Sequence, residues 1–307
     1  MEKQNIIFMG TPEAGAAVLE KLITSGTYAP QLVITQPDKP IGRKQELTPP
    51  PVKALAQKHG MEVWQPATLK NPQVIARIRE KEPTLIIIAA YGRIIPKEIL
   101  AIPPRGTLNV HPSLLPLHRG SSPVQYAILE GDAETGATVM LTDEGMDTGP
   151  ILAQTHVPIS PNDTAQTLSQ KLFEIGAELL LETLPKWLAG TLKPRPQDHT
   201  RATTTKLLAK EDGEIKPEYA AERIERMLRA LQPWPGIYLQ LTTNNSQQTT
   251  REKMLKILKA RATPCEKNQS PLTLSLTSKK ELCLHTEKDC LILETVHPEG
   301  KKPMSGY

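Results

Sequence analysis

No run of apolar residues in this sequence approaches the roughly 20 needed to cross a bilayer, so a helical membrane protein is not expected. Nor does a basic cleavable leader or an Arg-rich transit segment precede the apolar stretch Ile6-Ile7-Phe8-Met9, which points to a cytoplasmic address. Cysteine is scarce. Cys265, Cys283 and Cys290 form no Cys-x-x-Cys pair, and their odd number fits idle thiols in a reducing compartment better than a disulfide framework. The Gly-x-Gly-x-x-Gly pattern is missing after the first apolar run, where Gly10-Thr11-Pro12 stands instead, and this disfavours a dinucleotide site. A strong charge of either sign is also lacking. The net charge of +4 is unevenly spread, however: residues 1–205 hold 20 basic and 20 acidic side chains, and residues 206–307 hold 17 and 13. The excess in the last third has the sign expected of a segment that touches a phosphate backbone.

What is present describes a globular chain, 38% hydrophobic and 23% charged over 307 residues, long enough for two domains. Short apolar runs at 5–9, 32–35, 85–89, 108–111 and 137–141 alternate with helical patterns, the rhythm of an α/β fold on a mostly parallel, Rossmann-like sheet. Residues 85–89 are apolar throughout, as a central strand covered on both faces requires. Leu168, Leu172, Ile175 and Leu179 recur at helical spacing and close a first domain over 1–190. Residues 191–205, with Pro194, Pro196 and a threonine run, read as a polar linker. Residues 206–307 read as a second domain. There Ile224, Met227, Leu228 and Leu231 mark one helix face, Pro233-Trp234-Pro235-Gly236 ends it with Trp234 as a core anchor, and five short alternating segments predict a compact, OB-like β-barrel.

The chemistry concentrates at Asn109 and His111 in Leu108-Asn109-Val110-His111-Pro112, with Asp147 in Glu144-Gly145-Met146-Asp147-Thr148-Gly149. Alternate side chains of a strand share a face, so the amide and the imidazole project together where the strand runs out at Pro112. An amide donor, an imidazole and an orienting carboxylate suffice for acyl transfer without a metal or a covalent intermediate. The same three residues also suit a structural hydrogen-bond network, and their spacing leaves both readings open. Pro112 and Pro116 stiffen the loop that leaves the strand's carboxyl end, where ligands of parallel sheets bind. A second unusual segment is the loop at 36–51, far longer than α/β connections need. It reads either as a solvated insertion or as a proline-stiffened arm that carries Arg43 and Lys44 at its tip.

Asn109-Val110-His111-Pro112-Ser113-Leu114-Leu115-Pro116 resembles the signature of the folate-dependent formyltransferases. Gly10-Thr11-Pro12-Glu13, Gln36-Pro37-Asp38-Lys39-Pro40, Lys206-Leu207-Leu208-Ala209-Lys210 and Arg229-Ala230-Leu231-Gln232-Pro233-Trp234-Pro235-Gly236 resemble the branch that formylates methionyl-tRNA, and the likeness covers nearly the full length. The resemblance implies catalytic roles for Asn109, His111 and Asp147 and a folate pocket lined by Ser113, Leu114, Leu115, Pro116 and Tyr91. It also implies 10-formyltetrahydrofolate as the formyl donor with no metal, and initiator methionyl-tRNA met by Arg43, Lys44, Lys206 and Lys210. A monomer is implied as well. Within the folate family, a formyltransferase acting on a nucleotide-sugar amine is the alternative, and a catalytically silent tRNA-binding protein is the alternative outside enzymes.

Overall fold

Runs of Ile, Val and Leu cannot leave either face in water, and here they build the centre of a seven-stranded sheet. The computed structural model describes residues 4–42, 45–244, 250–265 and 269–306. Its first sheet comprises β1 (Ile6–Gly10), β2 (Leu32–Ile34), β3 (Val63–Trp64), β4 (Leu85–Ala89), β5 (Thr107–His111), β6 (Glu134–Leu141) and β7 (Ile151–Pro158). The order is β7-β6-β5-β4-β1-β2-β3. From β3 to β5 neighbouring strands run parallel, whereas β6 is antiparallel to β5 and β7 to β6. The expected Rossmann-like α/β sheet is therefore present, with β1 and β4 buried at every position.

Helices cover both faces. On one face Phe8, Ile87, Leu108 and Val110 pack with Val18 and Leu22 of α1 (Glu13–Thr24) and with Phe173 and Leu180 of the long helix Ala165–Leu188. On the other, Ile7, Met9, Ile86 and Ile88 pack with Ile78 of the helix Pro72–Glu80 and Ile99 of Lys97–Leu100. Two glycines set these approaches. A Cβ on Gly15 would lie 2.7 Å from the carbonyl oxygen of Ala89, and one on Gly176 would lie 2.6 Å from Cγ1 of Val110. Both helices thus press on the strand ends that carry the loops of interest.

Three segments differ from the sequence expectation. The edge strand β7 was not anticipated, because Gln154, Thr155 and His156 give it a polar middle that only an edge position tolerates. The 36–51 loop contains a small hairpin, Lys39–Ile41 against Glu46–Thr48, and its base is tied where Asp38 accepts from Lys53 Nζ at 2.8 Å and Gln65 Nε2 at 2.7 Å. Arg43 and Lys44 lie outside the described residues. Residues 191–205, read as a linker, belong to the first unit and return across it: Arg195 exchanges backbone hydrogen bonds with Ile151, and Thr204–Thr205 run parallel beside Arg119–Gly120.

The second compact unit comprises Val124–Asp132, Ser160–Ala165 and Leu207–Tyr307. Its helix α2 (Ala221–Leu231) buries Ile224, Met227, Leu228 and Leu231, the apolar face expected from sequence. Strands β8 (Ile237–Asn244), β9 (Thr250–Thr263), β10 (Leu274–Leu276), β11 (Leu282–His285), β12 (Cys290–Pro298) and β13 (Met304–Ser305) form a curled antiparallel half-barrel in the order β8-β9-β12-β11-β10, with β13 on β12. Trp234 is not a core anchor: it is 59% exposed. Its turn is fixed by backbone instead, since any Cβ on Gly213 would collide with the carbonyl of Gly236. The thiols are not all idle either. Register brings Thr263 of β9 opposite Cys290, so the chain two residues on delivers Cys265 to Cys290 and the two form a disulfide that does not include the buried Cys283.

Candidate active site

Strand β5 alternates as its pleat demands. Leu108 and Val110 enter the core, so Asn109 and His111 face the opposite side at the strand's carboxyl end. Asp147 reaches them from the loop between β6 and β7. That loop is shaped by Asp143, whose Oδ1 accepts from Gly145 N at 3.1 Å and Thr148 Oγ1 at 2.7 Å. It closes at Gly149, where any Cβ would collide with the carbonyl oxygen of Leu141. Asp147 itself stands at φ +52°, a left-handed conformation that Asp tolerates at a local cost.

The three side chains meet. Asn109 Nδ2 is 3.4 Å from Asp147 Oδ1, and His111 Nδ1 is 3.7 Å from Asp147 Oδ2, an ion-pair distance rather than a hydrogen bond. Oδ2 also accepts the backbone N–H of Gly120 at 2.8 Å. On its far side the buried His111 ring places Nε2 3.1 Å from the carbonyl oxygen of His118. That carbonyl can only accept, so Nε2 bears a hydrogen and Nδ1 is the nitrogen turned to Asp147. A protonated ring would offer a donor to each acceptor.

The loop after β5 is rigidly held from below. Thr138 Oγ1 donates to Ser113 O at 2.6 Å and accepts from Leu115 N at 3.3 Å, while Gln154 Nε2 donates to Leu115 O at 2.8 Å. Ser113 is buried with its hydroxyl donating to Leu117 O at 2.6 Å, and Leu115 is buried against Met140 and Ile151. Leu114 and Pro116 remain partly accessible. Tyr91 turns its ring into the apolar cluster of the sheet's other face, where burial pushes its phenol up and its hydroxyl has no hydrogen-bond partner among the described residues. Its main-chain oxygen accepts from Thr11 Oγ1 and Gln36 Nε2. From Ser113, Leu115 and Tyr91 a ligand at this rim is therefore offered backbone, not side chain.

Gln197 was not singled out from sequence, because it sits in a proline-rich polar stretch with no periodicity. Its buried amide donates to the carbonyl oxygens of Asp147 (2.8 Å) and Gly149 (2.7 Å), and its Oε1 accepts from Nε and Nη2 of the buried Arg119. Arg119 Nη2 also lies 3.2 Å from His199 Nδ1. The Asp147 backbone is thus clamped by the returning segment. Lys206 and Lys210 are exposed, the latter in a short turn of 3-10 helix, Lys210–Gly213.

Residues 4–184 match the formyl transferase family, and residues 207–307 match the formyl transferase C-terminal domain. The chain belongs to the formyl transferase family. Among its relatives, a protein of Chloroflexus aggregans named methionyl-tRNA formyltransferase is 44% identical over 302 residues, spanning 98% of this chain and 94% of the relative. One of the same name from Roseiflexus castenholzii is 45% identical over 299 residues, spanning 97% and 93%. The solved structure of WlaRD, a sugar 3N-formyl transferase, shares the fold at a TM-score of 0.65 and 18% identity, over 98% of this chain and 100% of that one. In the formyl transferase fold of this chain, an amide donor, an imidazole and a carboxylate converge at the carboxyl end of β5, a set able to polarise a carbonyl and accept a proton from an attacking amine.

Proposed function

We propose that this chain transfers the formyl group of 10-formyltetrahydrofolate to the amino group of methionine on initiator methionyl-tRNA, in the cytoplasm, for translation initiation. The observation that carries the reading is the convergence of Asn109, His111 and Asp147 at one rim, in a chain that matches relatives named methionyl-tRNA formyltransferase over nearly its whole length. The donor set fits a formyl group. Its oxygen, which gains negative charge as the amine adds, finds N–H donors in Asn109 and the protonated form of His111. Asp147 holds the ring and receives the amine proton. A bond forms between the methionine nitrogen and the formyl carbon, the bond from that carbon to N10 breaks, and the proton given up by the amine goes to the departing tetrahydrofolate.

Leu114, Pro116 and the main chain of Ser113, Leu115 and Tyr91 would line the folate, and Arg43, Lys44, Lys206 and Lys210 would meet phosphates of the tRNA, adding salt-sensitive affinity. The test is an incubation with 10-formyltetrahydrofolate and charged initiator tRNA that follows formyl-methionine and free formate. Stoichiometric formyl-methionyl-tRNA supports the reading. Release of formate alone, or formylation only of a nucleotide-linked amino sugar, overturns it.

A further inference from the structure

Three ligand atoms with no place in formyl transfer meet in the second unit. Sγ of Cys265, Sγ of Cys290 and the ring of His285 lie within 4.8 Å of one another. Cys265 follows β9 by two residues, while His285 ends β11 and registers directly against Cys290 at the start of β12. His285 and Cys290 are buried, at 4% and 3% exposure. Nδ1 of His285 is 3.6 Å from Cys265 Sγ and 3.5 Å from Cys290 Sγ, and Nε2 is 2.8 Å from Ser275 Oγ of β10.

A disulfide has no use for this imidazole. Its sulfurs carry no hydrogen and accept weakly, so burying a polar ring beside them costs solvation that an aliphatic side chain would not. A metal explains the ring. With metal–nitrogen bonds of about 2.05 Å and metal–sulfur bonds of about 2.3 Å, the nitrogen–sulfur edge of a tetrahedron is about 3.6 Å, so around the closed disulfide Nδ1 already stands at about the distance from each sulfur that such a site needs. Ser275 supplies the usual outer partner: by accepting from Nε2–H, it leaves the lone pair of Nδ1 aimed between the sulfurs.

We propose that, in its reduced form, this corner of the half-barrel is a Cys-Cys-His site for a zinc-type divalent cation, with the fourth position of the tetrahedron open to water. Two thiolates and an imidazole select cations of that class. The disulfide and the metal are then mutually exclusive states. A dithiol converts one to the other: its two thiols become its own disulfide, and two electrons and two protons pass to Sγ of Cys265 and Cys290. Cation binding then releases both protons as the thiols become thiolates, and the sulfurs separate to about 3.8 Å across the metal.

The experiment uses the full-length chain, reduced with a dithiol, freed of it anaerobically by gel filtration and titrated with Co(II) as the probe. Uptake of one equivalent, with a thiolate-to-cobalt charge-transfer band that Zn(II) displaces, is expected for the reduced protein and not for the same protein left oxidised. Cys265→Ser and Cys290→Ser should lose the band. Ser275→Ala should weaken Co(II) binding by roughly 10- to 100-fold while leaving the band, as an outer partner does. The proposal is overturned if the reduced wild type takes up no more Co(II) than the oxidised protein, a comparison that needs no substitution and so does not depend on a variant folding.

Discussion

Gly120 donates its backbone N–H to Oδ2 of Asp147 at 2.8 Å from a φ of +105°, where an added Cβ would press on the carbonyl oxygen of Thr205. Donor and spacing depend on the missing side chain. Gly120→Ala must shift either this N–H or the Thr204–Thr205 segment. A displacement of about 1 Å at the carboxylate to which proton transfer is assigned in the proposed function costs about 100-fold in turnover. We expect kcat for formylation to fall to that extent with little change in KM for the folate, as read from steady-state kinetics.

His111→Ala and Asp147→Asn each remove a group assigned to charge stabilisation or proton transfer. Turnover should drop by about 100- to 10,000-fold. Binding of a non-reactive folate analogue, followed by calorimetry, should persist in both. Near-wild-type turnover in either variant removes that residue from the mechanism.

Gln197→Leu keeps the volume of the side chain but deprives the buried Arg119 guanidinium of the amide oxygen that accepts from two of its nitrogens, and the Asp147 and Gly149 carbonyls of their Gln197 donor. Unsatisfied groups of this kind cost about 3 kcal/mol. Urea unfolding should show that loss, together with reduced kcat, because the clamp on Asp147 is gone. Unchanged stability would show that the guanidinium finds another partner.

Tyr91→Phe removes a buried hydroxyl that lacks a partner among the described residues, so it should be neutral or stabilise by about 1 kcal/mol near neutral pH. The pH dependence has a definite sign. Burial raises the phenol of the folded state above its ordinary value of 10.0, so the unfolded chain ionises first. The stability is fully present below pH 10 and is lost as pH rises toward the raised value. Phenylalanine should flatten that alkaline limb in thermal melts and leave KM for the folate unchanged.

Arg43→Ala tests the arm at 36–51. If Arg43 meets phosphate, KM for initiator tRNA should rise and its salt dependence should soften, while folate affinity stays. Identical kinetics across a salt series would leave the arm without that role.

The parts of this molecule that were legible in the sequence are those where one local rule acts alone. Residues 85–89 are apolar throughout because β4 is covered on both faces, and Asn109 and His111 share a face because β5 is pleated. Pairings across long separations were not legible. Gln197 reaches Asp147 only because the chain returns beside Arg119–Gly120, and Cys265 reaches Cys290 only through the register of β9 on β12. Strand β7 escaped because an edge tolerates a polar middle, so no apolar run announces it. In each case the deciding information is which strand lies next to which.

The closeness of Gly176 to Val110 ties the outer helix to the rim that carries Asn109 and His111 through a single strand. Val110 lies between Asn109 and His111, so even one methyl group added on the back of the sheet pushes directly on the residue that spaces them. Adaptation of this enzyme to new temperatures has little freedom along that helix turn. Its drift must be absorbed elsewhere, in surfaces that do not lean on the fifth strand.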